Sequence, residues 1–275
     1  MNNIVITGST KGIGYGYARE FIKRGHNVFI TGRDAGDLAK ALEGLKGEAT
    51  GGARADGLPC DVAKASEVQT VWDKAVSVFG KVDVWVNNAG FARTGVTLLQ
   101  LTPDEMKTMI ESNVIGTING SQVAVKGMQA QSHGTLFNTL GGGHDGRVIP
   151  GMIGYGTTKR AVRYFTDSLI RELGKASSVK VNMLSPGVNI TEGMLREVRA
   201  LPPAARKKVL WPINVMGDYV ETTTPWLVEQ MLTAVAAGET GQHIAWLTGG
   251  KLMGRFLAAG FRKRDLFARY GLSAA

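Results

Sequence analysis

Two side chains able to run a proton transfer stand four residues apart in Tyr155-Gly156-Thr157-Thr158-Lys159. On a helix that spacing places Tyr155 and Lys159 on one face, where an ammonium beside a phenol favours the phenolate and lowers its pKa. Free tyrosine titrates near ~10, so work at neutral pH asks for a drop of about three units, roughly 4 kcal/mol. One lysine seldom supplies that much. Read by itself, the pair equally fits an aromatic ring packed on the stem of a solvated lysine. The choice depends on whether the rest of the chain builds a cleft around the two.

The upstream elements do. Asn3 to Thr7 is a short β-rich apolar run, followed directly by Gly8-Ser9-Thr10-Lys11-Gly12-Ile13-Gly14. Helix formers continue from Tyr15 to Arg24, and Gly25 is a stop. Strand, glycine turn and helix together make a phosphate-binding loop: glycines let the backbone approach a pyrophosphate, and the free amides of the helix start face it. His26 to Thr31 reads as a second strand ending at Gly32-Arg33-Asp34. An arginine there suits the 2′-phosphate of NADP, where an acidic residue would suit the ribose of NAD. Arg33, with Lys11 available from the loop, favours NADP; the competing reading is a solvated surface arginine.

Leu58 to Val62 reads as a brief third strand, whose Asp61 either reaches an adenine amino group or caps the helix from Ala65 to Phe79. Val82 to Val86 is a fourth strand, closed by Asn87-Asn88-Ala89-Gly90, small enough for close approach to a ligand. Thr102-Pro103-Asp104-Glu105 is a capping box with proline at the first helical position. It starts a helix to about Ala130 through Asn113 and Gly116, poor helix formers that are either tolerated or used. Thr135 to Thr139 is a fifth strand, the helix of Tyr155 and Lys159 extends to about Gly174, Val179 to Leu184 is a sixth strand, and His243 to Leu247 is the last. This alternation, without repeats or a proline-rich linker, predicts an α/β fold: a single doubly wound Rossmann-type domain on a parallel sheet of about seven strands.

Composition narrows the function. Of the 275 residues, 44% are hydrophobic and 20% charged, ordinary for a globular protein. The single cysteine, Cys60, excludes an internal disulfide and reads as a small buried hydrophobe. No window approaches the ~18 apolar residues of a membrane span, and the apolar run begins at Ile4, so a cytoplasmic protein is expected. The net charge of +9 is uneven: residues 251–275 hold Lys251, Arg255, Arg262, Lys263, Arg264 and Arg269 against Asp265, hence +5, and the other 250 residues carry +4. Neither a zinc spacing nor a nucleic-acid recognition unit is present, so no metal and no nucleic acid is expected.

Thr7-Gly8-x-x-x-Gly12-Ile13-Gly14, Asn87-Asn88-Ala89-Gly90, Asn113, Tyr155-x-x-x-Lys159 and Ser185-Pro186-Gly187, in that order, resemble the short-chain dehydrogenase/reductase family over about residues 4 to 250. The resemblance implies Tyr155 as catalytic acid/base, Lys159 as the residue that lowers its pKa and holds the nicotinamide ribose, and Asn113 as the holder of a relay water. A bound oxidised nicotinamide, positively charged, would help the lysine. It implies a cofactor cradle of Gly8, Ser9, Thr10, Lys11, Gly12, Ile13 and Gly14. Asp61 and Val62 would lie at adenine, Asn88, Ala89 and Gly90 beside the adjoining ribose, and Pro186, Gly187, Val188 and Thr191 at the carboxamide end. With Arg33, the cofactor expected is NADPH.

The family normally places a serine about thirteen residues before the tyrosine, to hold the substrate carbonyl; Gly141-Gly142-Gly143 stands there instead. The nearest polar side chains are Thr139, His144 and Asp145, with His144 or a backbone amide as candidate substitutes. A narrower set, Phe137-Asn138-x-x-Gly141-x-Gly143-x-Asp145-Gly146-Arg147 with Tyr155-Gly156-x-Thr158-Lys159-Arg160 and Ile213-Asn214-Val215, is similar to the chlorophyll b reductases of chloroplasts, which also lack that serine. That likeness implies reduction of the C7 formyl group of a chlorophyll. The alternatives are a reductase or dehydrogenase of a smaller steroid-like or aromatic ketone or alcohol, and a non-catalytic NADPH-binding sensor. The joint retention of Tyr155, Lys159 and Asn113 speaks against the sensor.

Residues 189–223, rich in Met194, Leu195, Leu210, Trp211 and Ile213, read as a substrate lid for a bulky hydrophobic molecule or as plain core packing. Leu252, Met253, Phe256, Leu257 and Phe261 then form an amphipathic basic extension over 251–275. It would pack on a neighbouring subunit or close the pocket in preference to resting peripherally on an anionic membrane. By family likeness a homodimer or homotetramer is expected, built through the long helices starting near Thr102 and Ile153.

Overall fold

The fold, a computed structural model, describes residues 1–261 and 264–272. It opens with β1 (Asn3–Ile6), buried at every residue. A strand with no polar face must be covered on both sides, which is the condition of an inner strand in a parallel sheet. Crossover helices provide the cover: α1 (Gly12–Lys23), β2 (Asn27–Gly32), α2 (Ala35–Gly47), β3 (Ala55–Pro59), α3 (Ala65–Phe79) and β4 (Val84–Asn87) follow in turn. Next come α4 (Pro103–Met109), a π-helical turn at Ile110–Ile115, α5 (Gly116–Ala130), β5 (Gly134–Thr139), α6 (Ile153–Leu173) and β6 (Val179–Ser185).

The sheet has seven parallel strands in the order β3-β2-β1-β4-β5-β6, closed by β9 (His243–Ala245) beside β6. One face is filled by Ile4, Ile6, Val28, Ile30, Phe137 and Leu184 with α1 and α2. The other holds Val5, Phe29, Trp85, Leu136 and Val181 with α3 and α5. The order in which strands are added reverses between β1 and β4, and open α/β sheets bind ligands at that switch point, outside the carboxyl ends of the strands.

The third strand is Ala55–Pro59, not Leu58 to Val62. Val28 to Gly32 of β2 pairs with Ala55 to Pro59 in register. Beyond Cys60 the chain leaves the sheet in a turn closed by Lys64 N–H onto the Asp61 carbonyl. Glycine and aspartate at Gly57 and Asp56 hid an edge strand whose stability lies in backbone pairing.

After β6 the chain forms β7 (Asn189–Ile190), α7 (Glu192–Ala200), α8 (Pro203–Met216) and β8 (Asp218–Tyr219), then α9 (Val220–Ala237), β9 and α10 (Gly249–Ala258). β7 and β8 pair with each other as a separate two-stranded sheet. Leu195, Val198 and Leu210 form a small core with Leu266, Phe267 and Leu272, so the C-terminal segment packs back onto α7 and α8. Most of the basic charge described there is engaged. Arg255 and Arg264 both bind the buried Asp218, at 2.6 and 2.8 Å, Trp246 donates to the same carboxylate at 2.6 Å, and Arg269 lies 3.5 Å from Glu221. Arg262 and Lys263 lie outside the described residues. Among the described residues no helix is long and apolar enough to cross a membrane.

Candidate active site

Tyr155 and Lys159 lie in the first turns of α6, and both reach the carboxyl end of β5. Lys159 is 5% exposed, and its Nζ donates to the Thr139 carbonyl at the end of β5 over 3.0 Å. The same Nζ sits 5.7 Å from the centre of the Tyr155 ring. Burial pushes the Tyr155 phenol up to about 12 and the Lys159 ammonium down to about 8. The expected depression of the phenol is therefore not present in the protein's own field, because loss of water disfavours both charged forms. A phenol held protonated is suited to giving a proton, the role required of it in reduction.

Asn113 lies in the π-helical turn and is fully buried. Such turns open the helical ladder and often sit at functional positions. The Asn113 amide donates to the Phe91 carbonyl and to Thr158 Oγ1, both at 2.9 Å, and its oxygen accepts from Phe91 N–H at 2.8 Å. Thr158 in turn donates to the Tyr155 carbonyl at 2.8 Å. Asn113 is thus joined to the turn that carries Tyr155. Thr117 Oγ1 donates to the Asn113 carbonyl at 2.7 Å. Gly116, the other poor helix former, is needed for packing: a Cβ there would lie 2.5 Å from Val62 Cγ2.

The glycine loop and the Asn88 loop are locked together. Asn88 Nδ2 donates to the Thr7 and Gly8 carbonyls at 3.1 and 2.9 Å, and the amides of Asn88 and Ala89 donate to Thr7 Oγ1. Gly8 has φ +61, and a Cβ on it would strike the Ala89 Cα at 2.6 Å. Gly14 admits no Cβ either, lying against the Gly8 carbonyl and Asn88. This leaves the first amides of α1, at Gly12, Ile13 and Gly14, without intrahelical acceptors and facing the cleft. Ser9 is turned inward: its amide donates to the Thr31 carbonyl at 2.8 Å and its hydroxyl to the Ile6 carbonyl at 2.5 Å. It braces the loop. Thr10 packs against Gly32, where a Cβ would lie 2.6 Å from its methyl.

Arg33, just past β2, is exposed and has no hydrogen bond or ion pair among the described residues. Lys11 is held by Asp37 at 2.9 Å. Asp61 accepts from Ala63 N–H at 3.1 Å, so it shapes its own loop, and the helix behind it starts at Ala65 with Lys64 as N-cap. The Val62 carbonyl accepts from Asn119 of α5 at 2.9 Å. Across the cleft, Gly187 has φ +75 and packs against Trp246, and the Pro186 carbonyl accepts from Asn189 at 2.8 Å. The Val188 carbonyl accepts the Asp218 amide. Thr191 caps α7 and its methyl would meet a Cβ on Gly12 at 3.5 Å, so the carboxamide end and the glycine loop are neighbours.

The sequence reading missed several buried amides and hydroxyls beneath the site. Asn87 accepts from Trp85 Nε1 at 2.8 Å and donates to Asn138 at 2.9 Å, and Asn138 donates to Thr166 of α6 at 3.0 Å. Asn189, held by Thr223 at 2.7 Å, does the same for the Pro186-Gly187 turn. A polar residue in an otherwise apolar strand, as at Asn87 and Asn138, was the available signal. The His144 ring meets His243 edge-on at 5.1 Å and its Nδ1 is buried with no hydrogen-bond partner among the described residues, while His243 Nε2 lies 2.8 Å from Ser185 Oγ. Asp145 is bound to Arg147 at 2.6 Å.

Comparison with known proteins was consistent with this geometry. A family model described as short chain dehydrogenase matches residues 2–200. The chain is 35% identical over 254 residues to the chlorophyll(ide) b reductase NOL, chloroplastic, of Arabidopsis thaliana, covering 90% of this chain and 71% of that one. It is 33% identical over 247 residues to a 3alpha-hydroxysteroid dehydrogenase of Mediterraneibacter gnavus, covering 88% and 93%. Among solved structures, an actinorhodin polyketide ketoreductase with NADPH superposes with a TM-score of 0.77 at 26% identity, covering 91% of this chain and 97% of the other. A gluconate 5-dehydrogenase of Burkholderia cenocepacia in complex with NADP and tartrate gives 0.76 at 27% identity, covering 92% and 95%.

Proposed function

Since this chain belongs to the short-chain dehydrogenase family, an oxidoreductase acting between alcohol and carbonyl, we propose that it is an NADPH-dependent reductase of a carbonyl on a bulky hydrophobic substrate. The favoured substrate is the C7 formyl group of a chlorophyll b-type pigment. The observation that carries the reductase reading is the buried Lys159 Nζ, 5.7 Å from the centre of the Tyr155 ring, in a place where burial favours the protonated phenol. The pigment reading is supported by the likeness to a chlorophyll(ide) b reductase along 90% of the chain.

The residues present fit a dinucleotide. Gly8 and Gly14 leave backbone bare where a Cβ would collide, and the α1 amides of Gly12, Ile13 and Gly14 suit a pyrophosphate. Arg33, unpaired, would take a 2′-phosphate with Thr10 and Lys11 beside it. Asp61 and Val62 would lie at adenine, Asn88, Ala89 and Gly90 at the next ribose, Lys159 at the nicotinamide ribose, and Pro186, Gly187, Val188 and Thr191 at the carboxamide. The cofactor supplies a hydride when bound. Tyr155 gives its proton to the substrate oxygen as the carbonyl is reduced, and the Lys159 ammonium stabilises the phenolate left behind. Thr158 and Asn113 hold the Tyr155 turn in place.

The α7–α8 segment, closed by the C-terminal residues, serves as the lid of the substrate pocket. Leu98, Leu99, Ile110, Ile115 and Ile153 leave an apolar face on the 3-10 turn before α4, the π-helical turn and α6, and this supports pairing of two copies there. A peripheral membrane contact would use the exposed Met253, Leu257 and Phe261 of the α10 region. A reductase of a smaller steroid-like ketone is the second reading, favoured by the likeness to a 3alpha-hydroxysteroid dehydrogenase. NADPH oxidation measured with chlorophyll b in detergent and with a panel of steroid and aromatic ketones, with product identified by mass, separates the two. Turnover unchanged in Tyr155→Phe would remove the mechanism.

A further inference from the structure

Along β5 the side chains alternate between the two faces of the sheet. Phe137 enters the core beside α1, and Asn138 points to α6, where it meets Thr166. Leu140 prolongs the ladder, its amide donating to the Leu184 carbonyl at 2.7 Å, and packs on Val162 of α6. Thr139 and Gly141, two residues apart, therefore share the opposite face. On that face a Cβ built on Gly141 would lie 2.3 Å from the Tyr155 hydroxyl oxygen. The Thr139 carbonyl is the acceptor of Lys159 Nζ. Both members of the catalytic pair thus touch this short stretch.

Thr139 is 8% exposed, and its Oγ1 is buried with no hydrogen-bond partner. A buried hydroxyl left unbonded costs about 1–3 kcal/mol, and valine would fill the same volume without that cost. Residues two apart in an extended strand are about 6.6 Å apart. The Thr139 side chain therefore lies one pleat below the position where a Gly141 side chain would meet the Tyr155 hydroxyl.

We propose that Thr139 is a catalytic residue, its hydroxyl donating a second hydrogen bond to the substrate carbonyl oxygen beside Tyr155. This rests on the carbonyl-reductase reading. The carbonyl carbon gains hydride and its oxygen gains the Tyr155 proton, while Thr139 keeps its own proton. It strengthens its hydrogen bond as negative charge gathers on the oxygen. Thr139 would then perform the task of the absent serine, from the strand and not from the glycine loop.

The test compares Thr139→Val, Thr139→Ser and wild type in NADPH oxidation with chlorophyll b and the ketone panel, with NADPH affinity by fluorescence and Tm in parallel. The expected result for Thr139→Val is a fall in kcat of about 10²- to 10³-fold, unchanged NADPH affinity and an equal or higher Tm. Thr139→Ser should recover most of the turnover. Full turnover in Thr139→Val overturns the proposal, as does a loss accompanied by lowered Tm that serine does not rescue, since that marks a structural hydroxyl. A wild type that oxidises NADPH with no carbonyl of the panel would overturn the reductase reading itself, and with it this assignment.

Discussion

The Tyr155 hydroxyl occupies the place a Gly141 side chain would take, 2.3 Å from a Cβ built there. The glycine is a requirement of the tyrosine's position, because no rotamer of a larger residue avoids the first carbon. At Gly142 the added carbon would meet the Met152 methyl at 2.9 Å, the movable end of a flexible side chain. Gly141→Ser should therefore displace the phenol and lower kcat by about 10²-fold or more, the contribution of a positioned acid, whereas Gly142→Ser should cost far less. Steady-state kinetics of the two variants check this; equal losses would show that the phenol is not seated against Gly141.

Burial of the catalytic pair sets a pH dependence. Lys159 is pushed down to about 8, so its ammonium, and with it stabilisation of the phenolate, is lost as pH rises through that value. The reductive kcat should be flat below about pH 7 and fall above about pH 8. Stability runs the other way: the unfolded chain holds the lysine proton up to its ordinary 10.5. Lys159 therefore makes folding more favourable as pH rises from about 8 to 10.5. Tyr155, raised from 10.0 to about 12, makes folding less favourable between those values. Lys159→Met should flatten the lower window in denaturation curves taken across pH. An undiminished rise would mean that Lys159 is not the buried base.

Much of this site was legible in the residues, because glycine spacing and the Tyr155/Lys159 interval are local features with strong geometric consequences. Gly8 and Gly187 adopt positive φ, and Asn113 lies on a broken helical turn where a poor helix former had stood out. What local pattern did not reveal depends on distant pairing. Thr158 acquires its role only when α6 meets the π-helical turn, and Asn189 only when Thr223 folds onto it. The basic extension read as packing on a neighbouring subunit or closing the pocket, and the residue that gathers two of its arginines, Asp218 of β8, carried no local signal.

Cofactor choice should depend on Arg33. It is exposed, follows Gly32, which packs on Thr10, and has no competing partner among the described residues, whereas Lys11 is already held by Asp37. Charge-assisted hydrogen bonds contribute about 1.5–3 kcal/mol each, so Arg33→Ala should weaken NADPH binding about 10- to 100-fold and leave NADH nearly unchanged. Fluorescence titration with both dinucleotides measures this without turnover. A parallel loss for the two would assign Arg33 to the loop's structure instead of to the 2′-phosphate.

Asp218 should be worth more to stability than a surface ion pair. Its carboxylate is almost fully buried and accepts from Arg255, Arg264 and Trp246 at once, joining β8 to α10 and to the C-terminal segment. Removing one partner of a buried charge pair costs about 3–5 kcal/mol, because the other charge remains without compensation. Asp218→Asn keeps the shape and some hydrogen bonding but leaves two guanidinium groups facing a neutral amide. It should lower the denaturation midpoint strongly, and limited proteolysis should then cut near the end of α10 well before the sheet unfolds. Arg255→Met in the same background should recover part of the loss by removing one stranded charge. Asp218→Asn with wild-type stability would show that the tail is held by Leu266, Phe267 and Leu272 alone.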